Sequence, residues 1–411
     1  MPKIVMKFGG TSVADIERIQ AVANLVKQEL SNGTQIIVVV SAMAGHTNEL
    51  SKKVEDISPI YDAREYSAIV SSGENVTAGL LAIVLQNMAI NARSWQGWQI
   101  PINTSEEYSS ARIEKINTEN ILKKFAEGLE VAVVAGFQGI APDGRITTLG
   151  RGGSDTSAVA LSAAFNAKRC DIFTDVDGIY TTDPHICPKA RKLEKISYEE
   201  MLELASLGAK VLQTRSVELA TRYKVRLRVL SSFLKSSIGN SGTLVCSEGE
   251  IVENKVIAGV AFSRDEAKIT ITGIEDRPGI AALIFSRLSE QAVNVDMIVQ
   301  NISDNGLTDM TFSCPIDQVF KAEDALQKDK NTSFEYGKLI IDKEIAKVSI
   351  VGIGMKAHSG IAKMMFESLA REQINIMVIS TSEIKISVLI ERKYLELAVQ
   401  TLHDTFELEK A

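Results

Sequence analysis

Cysteine is scarce in this chain, with four in 411 residues. Cys170, Cys187, Cys246 and Cys314 stand far apart and form no C-x-x-C pair. That spacing argues against a disulfide framework and a cysteine-based zinc site, and it suits free thiols in a reducing compartment. Long apolar runs are missing too. None reaches membrane-spanning length, and the opening Met-Pro-Lys-Ile-Val-Met-Lys is no signal peptide, so a cytoplasmic protein without a membrane partner is expected. Positive charge is in deficit: 45 Lys and Arg face 52 Asp and Glu, for a net charge of −7. A nucleic-acid partner, which needs a basic face, is therefore not expected. Histidine is rare, with four residues. The glycine turns fit neither a Walker A loop nor G-x-G-x-x-G.

What is present points to a soluble protein of two or three domains, with 45% apolar and 24% charged residues. Its most informative stretch is Arg151-Gly152-Gly153-Ser154-Asp155-Thr156-Ser157. It follows an expected strand at 131–135 and a turn at Pro142-Asp143-Gly144, and it opens an apolar helical run over 158–165. Backbone amides at a helix start favour an anion, and paired glycines admit a ligand close to the backbone. Arg151 adds a fork suited to a carboxylate or phosphate, and Ser154 and Asp155 add a hydroxyl and a fixed charge. The same Ser-Asp-Thr-Ser is also good N-cap chemistry.

Upstream, a short strand over Ile4-Val5-Met6 runs into Lys7-Phe8-Gly9-Gly10-Thr11-Ser12, and a helix follows with Ile16, Ile19, Val22 and Val26 at helical spacing. Strand, glycine turn and helix is the layout of a phosphate-cradling loop, with Lys7 at the strand end. The β-branched run 35–40 reads as a central parallel strand. It ends in Ser41-Ala42-Met43-Ala44-Gly45-His46-Thr47-Asn48, at the strand's carboxyl end, where open α/β sheets bind ligands. Residues 65–89 read as helix interrupted at Ser71-Ser72-Gly73-Glu74, so Glu74 either caps a helix or points into a site. Trp95 and Trp98 read as packing. A strand from Arg169 enters a loop dense in Asp, Thr and Gly, Thr174-Asp175-Val176-Asp177-Gly178-Ile179-Tyr180-Thr181-Thr182-Asp183-Pro184. Helices are expected at 197–206 and 208–221, with Lys210 early in the second, and a strand at 225–230. To about residue 250 the alternation predicts a parallel three-layer α/β/α sandwich.

The remainder repeats itself. Pro278-Gly279-Ile280-Ala281, Phe285, Leu288 and Asn294-Val295 align with Ser359-Gly360-Ile361-Ala362, Phe366, Leu369 and Asn375-Ile376, at an offset of 360 − 279 = 81. Each copy reads strand, helix, strand, strand, helix, which predicts an α+β module present twice, able to bind a ligand or to pair through its edge strands.

K-F-G-G-T-S, S-A-M-A-G-H-T, S-S-G-E, R-G-G-S-D-T-S-A, T-D-V-D-G-I-Y-T-T-D-P and G-A-K-V-L form an ordered set over the first 215 positions. Together they resemble the aspartokinases of the amino acid kinase superfamily, and the tail resembles their tandem ACT domains (βαββαβ-like). The resemblance implies a catalytic domain over 1–247 and ACT domains over 265–340 and 345–411. It implies Mg²⁺-ATP-dependent phosphorylation of the side-chain carboxylate of L-aspartate, the first step towards lysine, threonine and methionine. By the same resemblance Lys7, Asp155 and Lys210 are catalytic, and Ser41, Thr47, Glu74, Arg151, Gly152, Gly153 and Ser154 hold aspartate. Lys7, Phe8, Gly9, Gly10, Thr174, Asp175, Tyr180, Asp183, His185 and Lys210 take the nucleotide. Lysine, threonine or both would bind at Asp276, Gly279, Ile280, Ala281, Asn294, Val295, Asp296, Gln300, Thr381, Ser382 and Glu383. A homo-oligomer through the ACT domains, or pairing with a separate copy of the carboxyl-terminal half, is also implied.

Two positions depart from the family pattern: His185 stands where Arg is common, and Arg226 where many relatives have Pro. The alternatives are another amino acid kinase, such as an acetylglutamate kinase, and a catalytically inactive ACT-type amino-acid sensor. Phosphoryl transfer to a carboxylate asks for no base, because the acceptor is already ionised near neutral pH. The rarity of histidine is consistent with that chemistry.

Overall fold

Apolar β-strands build the centre of the first half of the chain. In Lys3–Phe8, Gln35–Val40 and Val131–Ala135 nearly every residue is buried on both sides of the strand, which requires a sheet covered on both faces. The computed structural model, which describes residues 1–207, 211–234, 242–251, 256–302, 306–327 and 334–410, places these strands side by side in an eight-stranded sheet. Its order is Lys195–Ser197, Thr243–Cys246, Leu227–Ser231, Cys170–Thr174, Lys3–Phe8, Gln35–Val40, Val131–Ala135, Ala92–Trp95. Neighbours run parallel, as expected, except that Leu227–Ser231 and Thr243–Cys246 are antiparallel. Helices Ile16–Leu30 and Ser72–Asn87 supply Ile19, Val22, Leu81 and Leu85, which pack with Ile4, Met6, Ile36 and Val38 of the sheet. Each such side chain contributes about 1.5–3 kcal/mol on burial. Helix Gly153–Ala164 packs against the central strands.

Three sequence expectations need correction. The apolar run over 158–165 belongs to a helix that begins at the glycine pair, as expected, but Gly152, in the left-handed region (φ 70°), is its cap; Ser154 and Asp155 therefore lie in the first turn and not at the N-cap. The helix expected over 208–221 spans Thr214–Tyr223, and Lys210 lies outside the described residues. Ala63–Asn87 is long and apolar enough to cross a membrane by length and composition, yet half of its most apolar stretch is buried inside the fold. It is two helices, Ala63–Val70 and Ser72–Asn87, and the second packs in the core. A small sheet of short strands, Ile113–Ile116, Ile102–Thr104, Gln138–Ile140 and Ile146–Thr148, was not anticipated.

The chain divides into two compact units. The first is built on Met1–Ile179 and regains the chain at Lys192–Ser206; the second holds Tyr180–Arg191 and, from residue 253, the rest. Within the second unit lie two antiparallel four-stranded sheets. One is ordered Asp296–Ile302, Leu307–Pro315, Glu266–Glu275, Lys338–Asp342, with helices Ile280–Glu290 and Val319–Leu326. The other is ordered Gly259–Ser263, Ile345–Val351, Lys385–Glu391, Val378–Thr381, with helices Ile361–Arg371 and Leu395–Thr405. The repeat read from sequence is structural. Gly279 and Gly360 start equivalent helices at φ 91° and 103°, and Ala292 and Gln373, again 81 apart, follow them at φ 53° and 57°. The modules differ in their fourth strand, which the first takes from its own end and the second from Gly259–Ser263, upstream of the first.

The two modules share a small core in which Met297 and Val299 pack with Ile345, Val378 and Leu389. A buried ion cluster also ties them. Lys347, 4% exposed, lies 2.8 Å from Glu266 and 2.9 Å from Asp296. Burial alone would depress the Lys347 pKa, but Glu266 and then Asp296 overcome it and hold the pKa above the ordinary lysine value. Lys347→Met leaves the buried Glu266 without its cation, so denaturant unfolding of the second unit should show a loss of about 3 kcal/mol. Adding Glu266→Gln should recover much of it.

Candidate active site

The site grows from the carboxyl ends of three adjacent parallel strands, where the backbone turns away and leaves a crevice. Lys7 is the penultimate residue of Lys3–Phe8, and its ammonium lies 2.5 Å from Asp155 in the first turn of helix Gly153–Ala164. Both residues are more than 90% buried. A lysine and a carboxylate at that depth are tolerable only as a pair, and the pair fixes the Lys7 side chain at the strand end. Beneath it Phe8 stacks on Phe173 of the neighbouring strand at 4.6 Å, and the Gly9 amide donates to the Phe173 carbonyl at 3.3 Å.

The next strand, Gln35–Val40, delivers Ser41, whose amide donates to the Phe8 carbonyl, and Ala42, whose amide donates to the Glu74 carboxylate at 3.1 Å. Glu74 sits in the first turn of Ser72–Asn87, 3% exposed. Its second oxygen, Oε2, has no hydrogen-bond partner among the described residues. Burial pushes its pKa up to about 7, against the pull of the Ala42 amide. The third strand, Val131–Ala135, ends at Gly136. A Cβ there would come within 2.8 Å of the Ser154 hydroxyl and 3.0 Å of the Val40 carbonyl, so only glycine lets the two helix starts and the strand ends converge.

Gly152 is held as closely. A side chain on it would overlap Gln213, with Cγ 1.9 Å from the Cβ position, at a φ that L-residues avoid. Arg151 beside it is exposed and has no ion-pair or hydrogen-bond partner among the described residues. Thr47 lies half-buried in the first turn of helix His46–Ile57. Thus Lys7, Gly9, Ser41, Glu74, Ser154 and Asp155 are brought together at these strand ends, while Arg151 and Thr47 sit in a loop and a helix start beside them.

Among the nucleotide candidates, the Thr174 hydroxyl donates to Asp175 at 3.0 Å and the Ser232 amide donates to the Thr174 carbonyl at 3.0 Å. Both belong to the first unit, whereas Tyr180, Asp183 and His185 fold with the second. The Asp183 carboxylate accepts the His185 amide at 2.9 Å, and the His185 side chain is exposed. Arg226 precedes its strand and pairs at the surface with Glu250 at 2.6 Å.

The effector candidates Asp276, Gly279, Asn294, Asp296, Gln300, Thr381, Ser382 and Glu383 are exposed in the single chain, with Ile280 buried and Ala281 and Val295 half-buried. Asp296 is ion-paired to Lys347 and accepts the Met297 amide at 2.8 Å. Burial alone would raise its pKa, but Lys347 wins and the net shift is downward. Met297 itself sits at φ 46° where the strand pairing shifts register, a bulge on an edge strand.

Sequence reasoning passed over Arg215. Its guanidinium donates to the carbonyls of Leu149 at 2.8 Å and Ala111 at 2.6 Å, which fixes the approach to Gly150–Gly152. Nothing in its local sequence marks that role, because the partners are backbone atoms 66 and 104 residues away.

A cation at a strand end, glycine amides at two turns and helix starts aimed at one crevice can hold anions and neutralise charge between them. Comparison with known proteins agrees. The model of the amino acid kinase family matches residues 2–231, and that of the ACT domain matches 269–329 and 348–406. An aspartate kinase of Pseudomonas putida is 52% identical over 412 residues, covering 100% of this chain and 98% of the relative. The chain belongs to the aspartokinase family. Among solved structures, E. coli aspartokinase III in complex with aspartate and ADP (R-state) matches with a TM-score of 0.77 at 25% identity, covering 98% of this chain and 99% of that one. The same enzyme in complex with lysine and aspartate (T-state) matches with a TM-score of 0.74 at 26% identity, covering 98% and 99%. The chain is thus an aspartate kinase with an amino acid kinase fold followed by ACT domains.

The strained charge of Glu74 has a measurable consequence for this aspartokinase. Its pKa is about 7 folded and ordinary, near 4.5, unfolded, so between these values the folded chain binds the extra proton. The stability this provides is complete below pH 4.5 and is lost as the pH rises through 7. Glu74→Gln, which mimics the protonated acid, should match the parent near pH 4.5. At pH 8 it should exceed the parent by roughly 3 kcal/mol in unliganded thermal or denaturant melts.

Proposed function

We propose that this aspartate kinase works by charge neutralisation and positioning, with the 2.5 Å Lys7–Asp155 pair as its centre. Lys7 faces the transferring phosphoryl group, Asp155 holds its ammonium in place, and the turn at Gly9 and Gly10, beside Phe8, receives phosphate oxygens from ATP. Lys210, outside the described residues, takes the leaving side. The α-carboxylate of L-aspartate is held by Arg151, and Ser41, Thr47, Gly152, Gly153 and Ser154 surround the substrate. Glu74 meets the α-ammonium with the oxygen that has no partner among the described residues.

The acceptor is already an anion, so the obstacle is repulsion between two negative groups rather than weak nucleophilicity. In-line placement and fixed cations lower that barrier. Thr174, Asp175, Tyr180, Asp183 and His185 complete the nucleotide site. Mg²⁺ would arrive on the nucleotide phosphates. Bound there, the ion would offset the charge of the phosphate oxygens. Residues 1–247 form the catalytic domain in this reading, and 265–340 and 345–411 the two ACT domains.

Lysine, threonine or both bind the exposed face that carries Asp276, Gly279, Asn294, Asp296 and Gln300, with Thr381, Ser382 and Glu383 of the second module. The T-state complex of the E. coli enzyme with lysine and aspartate supports an amino-acid effector. The ACT domains also provide the surfaces for a homo-oligomer.

ADP release from Mg²⁺-ATP should proceed with L-aspartate and not with L-glutamate or N-acetylglutamate, and should fall when lysine or threonine is added. Turnover indifferent to both would discard the effector assignment and leave the kinase. Lys7→Ala should lower kcat by at least about 10³-fold with little change in the KM for aspartate; unchanged turnover would remove Lys7 from the chemistry. Because Glu74 must be ionised to receive an ammonium, kcat/KM for aspartate should fall below about pH 7 in the parent. In Glu74→Gln it should be low and lack that step.

A further inference from the structure

Tyr180–Arg191 carries three of the nucleotide candidates, yet it folds with the second unit while the residues on either side of it, Ile179 and Lys192, belong to the first. Its anchor is Thr181, 2% exposed, every polar atom of which is engaged. The Thr181 amide donates to the Arg191 carbonyl at 2.9 Å, and its carbonyl accepts the Val260 amide at 2.7 Å. Its hydroxyl oxygen accepts the Arg191 amide at 3.0 Å and lies 2.9 Å from Nε2 of His403. The approach is close enough that a Cβ on Gly259 would stand 2.5 Å from the Thr181 carbonyl. Further along, Gln400 donates to the Ile186 carbonyl at 2.7 Å and Lys189 pairs with Asp404 at 2.9 Å. All of these helix partners come from Leu395–Thr405 of the second ACT module.

His403 is fully buried on that helix beside Val399 and Leu402. Thr181 is the only side-chain partner its ring has among the described residues, and its Nδ1 has none. A buried imidazole with one orphaned nitrogen is a poor choice for packing, since an apolar side chain would fill the space without that cost. Burial also depresses its pKa, which favours the neutral ring. What the histidine provides and a leucine would not is a directed hydrogen bond to Thr181, two residues before Asp183.

We propose that His403 is a positioning residue for nucleotide binding: from the second ACT module it fixes Thr181 and thereby the segment bearing Tyr180, Asp183 and His185. The proposal rests on the assignment of that segment to the nucleotide site. In this arrangement a regulatory helix sets the affinity for ATP even without an effector.

The test uses the full chain and compares His403→Leu, Thr181→Val, the double variant, His403→Gln and Asp183→Asn. Steady-state kinetics would be read together with direct titration by a fluorescent ATP analogue. His403→Leu and Thr181→Val should each raise the KM for ATP and the analogue Kd by about fivefold, the loss of one hydrogen bond, while the KM for aspartate stays unchanged. The double variant should be no worse than either single one, because both remove the same bond. His403→Gln, which keeps a nitrogen near the Nε2 position, should stay near the parent. Equal shifts in both KM values together with a lower Tm would assign His403 a structural role only and overturn the proposal. So would an unchanged nucleotide affinity in Thr181→Val. If Asp183→Asn also leaves nucleotide affinity untouched, the segment is not part of the nucleotide site and the underlying assignment falls. If Asp183→Asn weakens it and His403→Leu does not, the assignment stands and the positioning role is wrong.

Discussion

Two opposite charges, buried together and less than a hydrogen bond's usual length apart, set the terms for the first unit. Lys7 and Asp155 come from elements far apart in sequence, and neither could be buried alone. Their meeting requires strand Lys3–Phe8 in the middle of the sheet, flanked by Gln35–Val40 and Cys170–Thr174, so that Lys7 lies level with Val39 and Ile172. It requires helix Gly153–Ala164 to start directly over the strand ends, and therefore a backbone at Gly136 that permits Ser154 to descend onto it. The apolar bulk of the sheet provides the rigidity. The polar pair determines where that rigidity is spent.

The second unit solves a different problem with a related device. Two small sheets with modest cores are joined by Lys347, whose carboxylate partners Glu266 and Asp296 both lie in the other module. Asp296 is also a residue of the proposed effector face, next to the bulge at Met297. A ligand at that face therefore meets a carboxylate already committed to the neighbouring module. Any rearrangement of Asp296 is felt there through the buried lysine.

Much of this was legible in the sequence because the signals were local and periodic. The β-branched run Gln35–Val40 and the apolar Val131–Ala135 appear in the structure with the expected bounds, and the 81-residue repeat reappears as matched left-handed residues at Gly279 and Gly360. Lys7, Glu74, Ser154 and Asp155 were singled out as polar residues at the edges of apolar elements, and the structure gathers them. What stayed hidden depends on distant partners. The strands Ile102–Thr104, Gln138–Ile140 and Ile146–Thr148 have three residues each, too few for any period to register. Arg215 acts on two carbonyls, which leave no trace in sequence. The departure of Tyr180–Arg191 from the first unit is decided by His403 and Val260, more than 70 residues downstream.

The fourth strand of the second ACT module carries a consequence for how the chain is made. Gly259–Ser263 pairs with Ile345–Val351, with Ser263 opposite Lys347, so the whole first module is spliced between two neighbouring strands. Its entry and exit are separated by one inter-strand spacing, about 4.8 Å. During synthesis Gly259–Ser263 emerges first and has no mate until some 80 residues later. The first module, whose own strands are contiguous, can close meanwhile and bring that waiting strand to the place where its partner will arrive. The nested order of the sequence thus doubles as an order of assembly: inner module first, outer module around it.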